Sequence, residues 1–490
     1  MPTDAVAAPR LAVIGGGISG LVSALRLAQA LPEARIDIFE AADQAGGKLR
    51  TIDLDSGPAD VGAEAFVVRR PEALDLVSEL GLDAAVRKPA GRSPALFSGG
   101  RLLPLPRNQV FGVPGGTDGL EELLDSDVIR TIAAEPCNPA PWQIGQDVSV
   151  GAMVAERLGR PVVDRLVDPM LGGVYAATAD ALGVRAVAPA LAAQLDAQAH
   201  DAVRTGKEGR ASIVEAVRAI KSTNVGGQVF AALEGGYRRL VDALVTRISV
   251  SGNTVLHLGV RVDSITPEGS AARLAFSGQV AGSPQVYDGL VCALPFRAAL
   301  PLLNELSKDA TEPLREIPYS SSAVVSVALA PGVEVPDLSG ILVAADAGRS
   351  AKAITLSSRK WDHLDRSASG HGHMLRVSFG RLGDESSLDL EDEELSAQTR
   401  IELAEIAGID AAGAEVRPTR WTHGLPVPGV EHQRLVDGAR RSLAEQPVPV
   451  VLANSAIAGV GVPACISVAQ TAAAELAAKW QDESHGTPRL

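Results

Sequence analysis

The stretch Arg10–Leu49, RLAVIGGGISGLVSALRLAQALPEARIDIFEAADQAGGKL, constrains this chain more than any other. An apolar run, Leu11–Ile14, leads into Gly15-Gly16-Gly17-Ile18-Ser19-Gly20. A helical pattern follows, with Leu21, Leu25 and Ala28 on one face and Ala24, Leu27 and Leu31 beside it. A second apolar strand, Ile36–Phe39, ends at Glu40 and Ala41. Gly15-x-Gly17-x-x-Gly20 between strand and helix is the dinucleotide fingerprint. Gly15 permits the tight turn, Gly17 lets backbone approach a pyrophosphate, and Gly20 lets the helix pack closely on the strand. Amides at the helix start, Ile18 and Ser19 among them, face the phosphates, where the helix dipole favours negative charge. Glu40 falls where a carboxylate accepts hydrogen bonds from the adenosine ribose, about twenty residues beyond the last glycine.

A length of 490 residues, 46% of them hydrophobic, calls for two or three domains. No run of eighteen apolar residues occurs, so no transmembrane helix is expected. The N-terminus lacks a basic region followed by an apolar core, so no secretory signal is expected and the predicted location is the cytoplasm. Cys137, Cys292 and Cys465 are far apart and belong to no motif, which fits a reducing compartment without disulfides or a zinc site. Cys465 reads as a small buried residue at a helix start. His371 and His373 share a glycine loop without an acidic partner, so no metal is expected there. A net charge of −14, no basic run and only 3% aromatic residues argue against nucleic acid and anionic membrane surfaces.

Ala45-Gly46-Gly47-Lys48-Leu49-Arg50-Thr51 follows Glu40 closely. This second glycine pair lets another loop approach the same pyrophosphate. The combination resembles the two-part FAD signature of glutathione reductase-type flavoproteins, in particular the amine oxidase and protoporphyrinogen oxidase branch. Most of that branch has Arg after the glycine pair; here it is Lys48, a cation for the diphosphate or a solvated loop lysine. Gly57–Pro71, with Gly62, Ala63, Glu64 and Ala65, resembles the segment that brings backbone against the flavin. Val167-Asp168-Pro169-Met170-Leu171-Gly172-Gly173-Val174-Tyr175-Ala176 is more specific. It resembles the LVxPLLGGVYAG pattern of the oxygen-dependent bacterial coproporphyrinogen III and protoporphyrinogen IX oxidases. Glu234–Leu240, Ser357–Trp361, Leu375–Arg381, Arg420-Trp421 and Gly459–Ile466 extend the resemblance from about residue 10 to about residue 480.

The resemblance implies an α/β fold: a Rossmann-like FAD domain of glutathione reductase type, a mixed-sheet substrate domain and a helical insert. The expected boundaries are 10–88, 226–298 and 442–482 for the FAD domain, 89–107 and 301–440 for the substrate domain, and 108–220 for the insert. Strand patterns at Ala323–Leu329 and Met374–Phe379 suit an antiparallel lid over the flavin. Gly115–Asp118, Glu135–Trp142 and Glu268–Pro284 read as loops, and the polar tail Asp482–Leu490 as frayed. Val262, Trp421, Val460, Gly461 and Val462 complete the expected cofactor contacts. A glycine loop opening the helix Ala464–Trp480 offers backbone amides to the flavin. The chain departs from the family at Asn454, at Ile457 and at Val468-Ala469-Gln470.

The implied chemistry rests on FAD, with no acid–base residue singled out. Hydride passes from a bridging carbon to flavin N5 and pyrrole N–H protons are lost. Three two-electron rounds give the porphyrin, and dioxygen reoxidises the flavin to give hydrogen peroxide. Coproporphyrinogen III is the first substrate reading and protoporphyrinogen IX the second. A non-catalytic flavoprotein serving as a haem-pathway carrier or partner is the third, and transient contact with other haem-pathway enzymes fits any of them. A greasy macrocycle bearing propionates needs aliphatic walls and a few cations. Leu171, Gly172, Gly173, Val174 and Tyr175 are wall residues or ordinary packing. Arg69, Arg92, Arg101, Arg185, Lys352 and Lys360 are candidate carboxylate partners or solvated charges.

Overall fold

The structure, a computed structural model, describes residues 8–223, 227–278, 285–365 and 370–481. The tail expected to fray, Asp482–Leu490, lies outside them. A five-stranded parallel sheet runs in the order Thr254–Leu258, Arg35–Glu40, Arg10–Ile14, Gly289–Cys292, Val450–Leu452. Leu11, Ala12 and Val13 on the central strand are fully buried, as a strand covered on both faces requires. One cover is the helix Ile18–Ala30. It packs along the helix Val462–Gln481, whose Ala469, Ala472 and Ala473 allow close approach. The Ser19 and Ser23 hydroxyls donate to the carbonyls of Cys465 and Ala469, both at 3.3 Å, and so lock the first helix to the last.

A three-stranded antiparallel sheet, Val260–Glu268, Ala271–Gly278 and Gln285–Tyr287, flanks this layer. It corrects the expectation of a loop over Glu268–Pro284. Gly269 and Ser270 form only a turn, and Ala272 and Leu274 alternate into the core while Arg273 stays out. Glycine and serine at both ends masked that two-residue period. Residues 279–284 lie outside the described set.

The second layer is a seven-stranded mixed sheet in the order Glu415–Pro426, Tyr319–Ala328, Met374–Phe379, Ala351–Thr355, Gly340–Val343, Ala95–Ser98, Arg101–Pro104. All its pairings are antiparallel except Gly340–Val343 with Ala95–Ser98. Val325, Val327, Ile354, Val377 and Phe379 bury one face against Leu395, Leu403 and Ile406 of the helix Asp392–Ala407. Arg376 and Trp421 sit on the opposite face and reach the loop Val61–Glu64.

Helices Ser126–Ala134, Val150–Leu158, Asp168–Tyr175, Pro189–Arg204 and Ile213–Thr223 form a third group with its own core, including Leu166, Leu171, Leu191 and Val214. The buried carboxylate of Glu135 accepts from the Ile213 amide at 2.9 Å and satisfies the buried start of that last helix. No described helix is long and apolar enough to cross a membrane.

Candidate cofactor and substrate site

Each fingerprint glycine has a distinct local reason. Gly15 has φ +109°, a conformation that side chains resist. A Cβ on Gly20 would lie 1.8 Å from the Gly15 carbonyl oxygen, so the helix could not seat. A Cβ on Gly17 would meet nothing within 4 Å; its backbone borders open space at the mouth of the helix. The Gly16 amide donates to Glu40 Oε2 at 2.7 Å, and the Ala42 amide donates to Oε1 at 2.9 Å. These bonds fix the Glu40 carboxylate beside the glycine loop and leave lone pairs for further donors.

The second glycine pair closes on the first. The Gly46 amide donates to the Gly16 carbonyl at 2.8 Å, and Gly17 and Gly46 form a parallel bridge. Gly47 approaches so nearly that an added Cβ would stand 3.3 Å from Gly17 Cα. Lys48 follows, and among the described residues no hydrogen bond or carboxylate holds its ammonium. Burial lowers its pKa, and the neighbouring Cys465 opposes that shift. Cys465 is itself buried, which pushes its thiol up. Neither the helix Ile18–Ala30 nor the helix Val462–Gln481 has an acidic residue in its first turn. Two positive helix ends, an uncommitted lysine and an open glycine cradle suit a diphosphate, and Glu40 suits a ribose diol. The residues present therefore fit FAD.

The third loop, Val61–Glu64, is pinned from both sides. The Ala63 amide donates to the Lys48 carbonyl at 3.2 Å, and a Cβ on Gly62 would strike that carbonyl at 1.9 Å. Trp421 Nε1 donates to the Val61 carbonyl at 2.8 Å, and Arg376 Nη2 donates to the Gly62 carbonyl at 2.7 Å. The Glu64 side chain accepts from Lys360 Nζ at 2.7 Å and Ser357 Oγ at 2.8 Å, with Arg376 3.8 Å away. Burial alone would raise this carboxyl, but the Lys360 and Arg376 charges outweigh it and hold the pKa at about 2. Glu64 thus couples the loop to the large sheet through its side chain. Neither Ser357 nor Arg376 is singled out by the sequence; Arg376 carries the clearer signal, a charged residue inside the apolar strand Met374–Phe379.

Val262 lies at a bulge in the strand Val260–Glu268, next to the strand that ends in Glu40. Val460, Gly461 and Val462 open the last helix, beside the start of the first. The departures find local explanations. Asn454 Oδ1 accepts from the Ala456 amide at 2.9 Å and its Nδ2 donates to the Leu294 carbonyl at 3.0 Å, so it caps the short helix Ser455–Ala458. Val468 and Ala469 are core residues.

The helix Asp168–Tyr175 packs over the strands Ala351–Thr355 and Gly340–Val343. Leu171, Gly172 and Tyr175 are buried, and the Tyr175 carbonyl accepts from Ser320 Oγ at 3.0 Å. Burial pushes the Tyr175 hydroxyl up to about 12, so it stays protonated. Gly173 and Val174 are exposed, Val174 by 42%. Three proposed cations are already committed. Arg92 pairs with Asp337 at 2.5 Å, Arg185 with Asp196 at 2.9 Å and Lys360 with Glu64. They are corrected here as carboxylate partners: spacing along a chain does not reveal which charges find a counter-ion inside the protein. Arg69 and Arg101 are exposed without an ion pair among the described residues. Lys352 is buried, donates to the Gly380 carbonyl at 2.7 Å, and is driven down to about 7 by burial, with Arg381 adding to the shift.

Comparisons with known proteins agree with this geometry. The coproporphyrinogen III oxidase of Mycobacterium tuberculosis (strain ATCC 25618 / H37Rv) is 40% identical over 458 residues, covering 93% of this chain and 95% of the relative. The coproporphyrinogen III oxidase of Bacillus subtilis (strain 168) is 26% identical, covering 94% and 97%. A solved structure described as "Putative protoporphyrinogen oxidase", from Exiguobacterium sp. 255-15, superposes with a TM-score of 0.83 at 26% identity, over 97% of this chain and 100% of that one. Cyclohexylamine oxidase from Brevibacterium oxydans IH-35A shares the fold, with a TM-score of 0.66 at 16% identity over 97% and 100% of the two chains. Residues 18–477 match the model of the flavin containing amine oxidoreductases. The chain belongs to that family, and is an FAD-dependent oxidoreductase.

Proposed function

We propose that this enzyme oxidises coproporphyrinogen III to coproporphyrin III, using dioxygen and releasing hydrogen peroxide. The observation that carries this reading is 40% identity, over 93% of the chain, to proteins named for that reaction. The specific LVDPMLGGVYA run supports it, since its helix lies over the large sheet and leaves Gly173 and Val174 uncovered. FAD, when bound, supplies the two-electron acceptor. Glu40 would hold its ribose, Gly17, Lys48 and the two helix starts would hold its diphosphate, and the loop Val61–Glu64 would contribute to the flavin site. Residues 10–88, 226–298 and 442–482 make up this FAD domain; 89–107 and 301–440 make up the substrate domain, and 108–220 the helical insert.

Coproporphyrinogen III has four propionates where protoporphyrinogen IX has two. A protein named protoporphyrinogen oxidase, from Schizosaccharomyces pombe, is 23% identical over only 65% of this chain. Among the described residues Arg69 and Arg101 are exposed without a carboxylate partner and are the cations open to extra propionates. Two further propionate–cation pairs at about 1.5–3 kcal/mol each favour the four-propionate substrate by at least tenfold in kcat/KM. Steady-state rates on both porphyrinogens, prepared without oxygen and matched in detergent, test this. Equal or reversed preference removes the coproporphyrinogen assignment.

A further inference from the structure

A cavity lies beside the loop Val61–Glu64, with Asp60, Glu64, Trp361, His363 and Arg376 among its walls. Three of these carry buried polar atoms without a partner among the described residues: Trp361 Nε1, His363 Nδ1 and Arg376 Nε. Trp361 is 0% exposed. Leaving one such group unbonded costs about 1–3 kcal/mol, which favours a small polar occupant beside them. An anion would face the Asp60 and Glu64 carboxylates. A cation would face Arg376 and Lys360, which sits against Glu64. Water meets neither objection and finds the 2–4 polar neighbours it needs.

Among the titratable groups that line the cavity, the first is Asp60. It accepts from Thr51 Oγ1 at 2.6 Å and from the Tyr237 amide at 3.0 Å. Burial pushes its carboxyl up to about 6; Glu64 adds to the shift, and the Thr51 and Tyr237 bonds and Arg376 oppose it. His363 is the second, and like Asp60 it is half-buried. Burial lowers its pKa, with Glu234, Glu64 and Asp362 opposing and Arg87 reinforcing the shift.

We propose that this cavity is a hydrated chamber in which ordered water links Asp60 to His363 and carries protons between the loop Val61–Glu64 and solvent. The proposal rests on the assignment of Val61–Glu64 to the cofactor. Each round of substrate oxidation removes a hydride and releases one proton. Reduction of dioxygen to hydrogen peroxide takes up two electrons and two protons; one proton arrives with the hydride, and the chamber delivers the other.

Two experiments test the chamber without any porphyrinogen. In a high-resolution crystal structure of the FAD-loaded protein, ordered water should bond Trp361 Nε1 and His363 Nδ1; a dry cavity, or an ion in it, overturns the proposal. Reoxidation by dioxygen of the photoreduced holoprotein should slow roughly tenfold or more in His363→Gln and Asp60→Asn, with the oxidised flavin spectrum unchanged. Unchanged rates in both variants overturn the proton role. A variant that fails to fold leaves the crystal structure of the unaltered protein decisive. Indifference of the reduced holoprotein to dioxygen overturns both the proton role and the oxygen-using part of the proposed function. Loss of the coproporphyrinogen preference alone leaves the chamber standing.

Discussion

At the residue scale, Glu40 and Glu64 show two uses of a carboxylate. Glu40 is oriented by the Gly16 and Ala42 amides and keeps acceptor capacity for a ligand. Glu40→Ala should weaken FAD binding by about 1.5–3 kcal/mol, the range for a hydrogen bond to a charged group. Full flavin retention by the variant on dilution and gel filtration would reject that role. Glu64 spends its charge inside the protein. Its carboxyl sits at about 2 in the fold against 4.5 in the unfolded chain, so its ionised form stabilises the fold. That contribution is complete above pH 4.5 and is lost as pH falls towards 2. Glu64→Gln should therefore cost about 3 kcal/mol at pH 7, with a smaller penalty at pH 3, in paired thermal melts. Glu40 was legible because its role depends on spacing from a nearby glycine loop. The partner of Glu64 was not, since Lys360 lies 296 residues along the chain and only tertiary folding joins them.

At the element scale, the first helix start separates folding from binding. Gly17 has φ −73° and ψ 178°, which any residue adopts, and an added Cβ touches nothing. Gly17→Ala should leave the apoprotein melting temperature near that of the parent and strip the flavin. Gly20→Ala drives a methyl into the Gly15 carbonyl and should destabilise the apoprotein itself by about 1–3 kcal/mol or more. Apoprotein melts with flavin content per chain distinguish the two; equal melting losses would reject the assignment of Gly17 to the ligand. The strand–turn–helix was readable because apolar period and glycine spacing coincide within one short stretch. The strand Ala271–Gly278 was not, because its small residues give a weak alternation that only pairing with Val260–Glu268 makes plain. Asn454 likewise looked like a departure from pattern, and its reason emerges only with the helix it caps.

At the scale of the whole molecule, the parallel sheet draws strands from Arg10–Ile14 to Val450–Leu452, and the first helix lies against the last. Ending the chain at Gly461 removes the helix that accepts the Ser19 and Ser23 hydrogen bonds of the first, and with it half of the paired helix starts. Such a truncation should accumulate as insoluble protein without flavin. A soluble, yellow truncation product would show that the last helix is dispensable. The overall class of fold was legible from the fingerprint and the family motifs, whereas the counter-ion of Arg92 lies 245 residues along the chain and was set by packing between distant segments.

The serine hydroxyls that tie the first helix to the last also set a clock for synthesis. The strand Arg10–Ile14 leaves the ribosome early, with Arg35–Glu40 soon at one edge. Its other edge waits for Gly289–Cys292. At about 5–20 residues per second, that wait lasts roughly 15–55 s, and the acceptors for Ser19 and Ser23 come later still. Through that interval the nascent chain holds an apolar strand with an open edge, a hazard for pairing with neighbouring chains on the same messenger. The central strand of this sheet therefore gains its second neighbour only after more than half of the chain has been made.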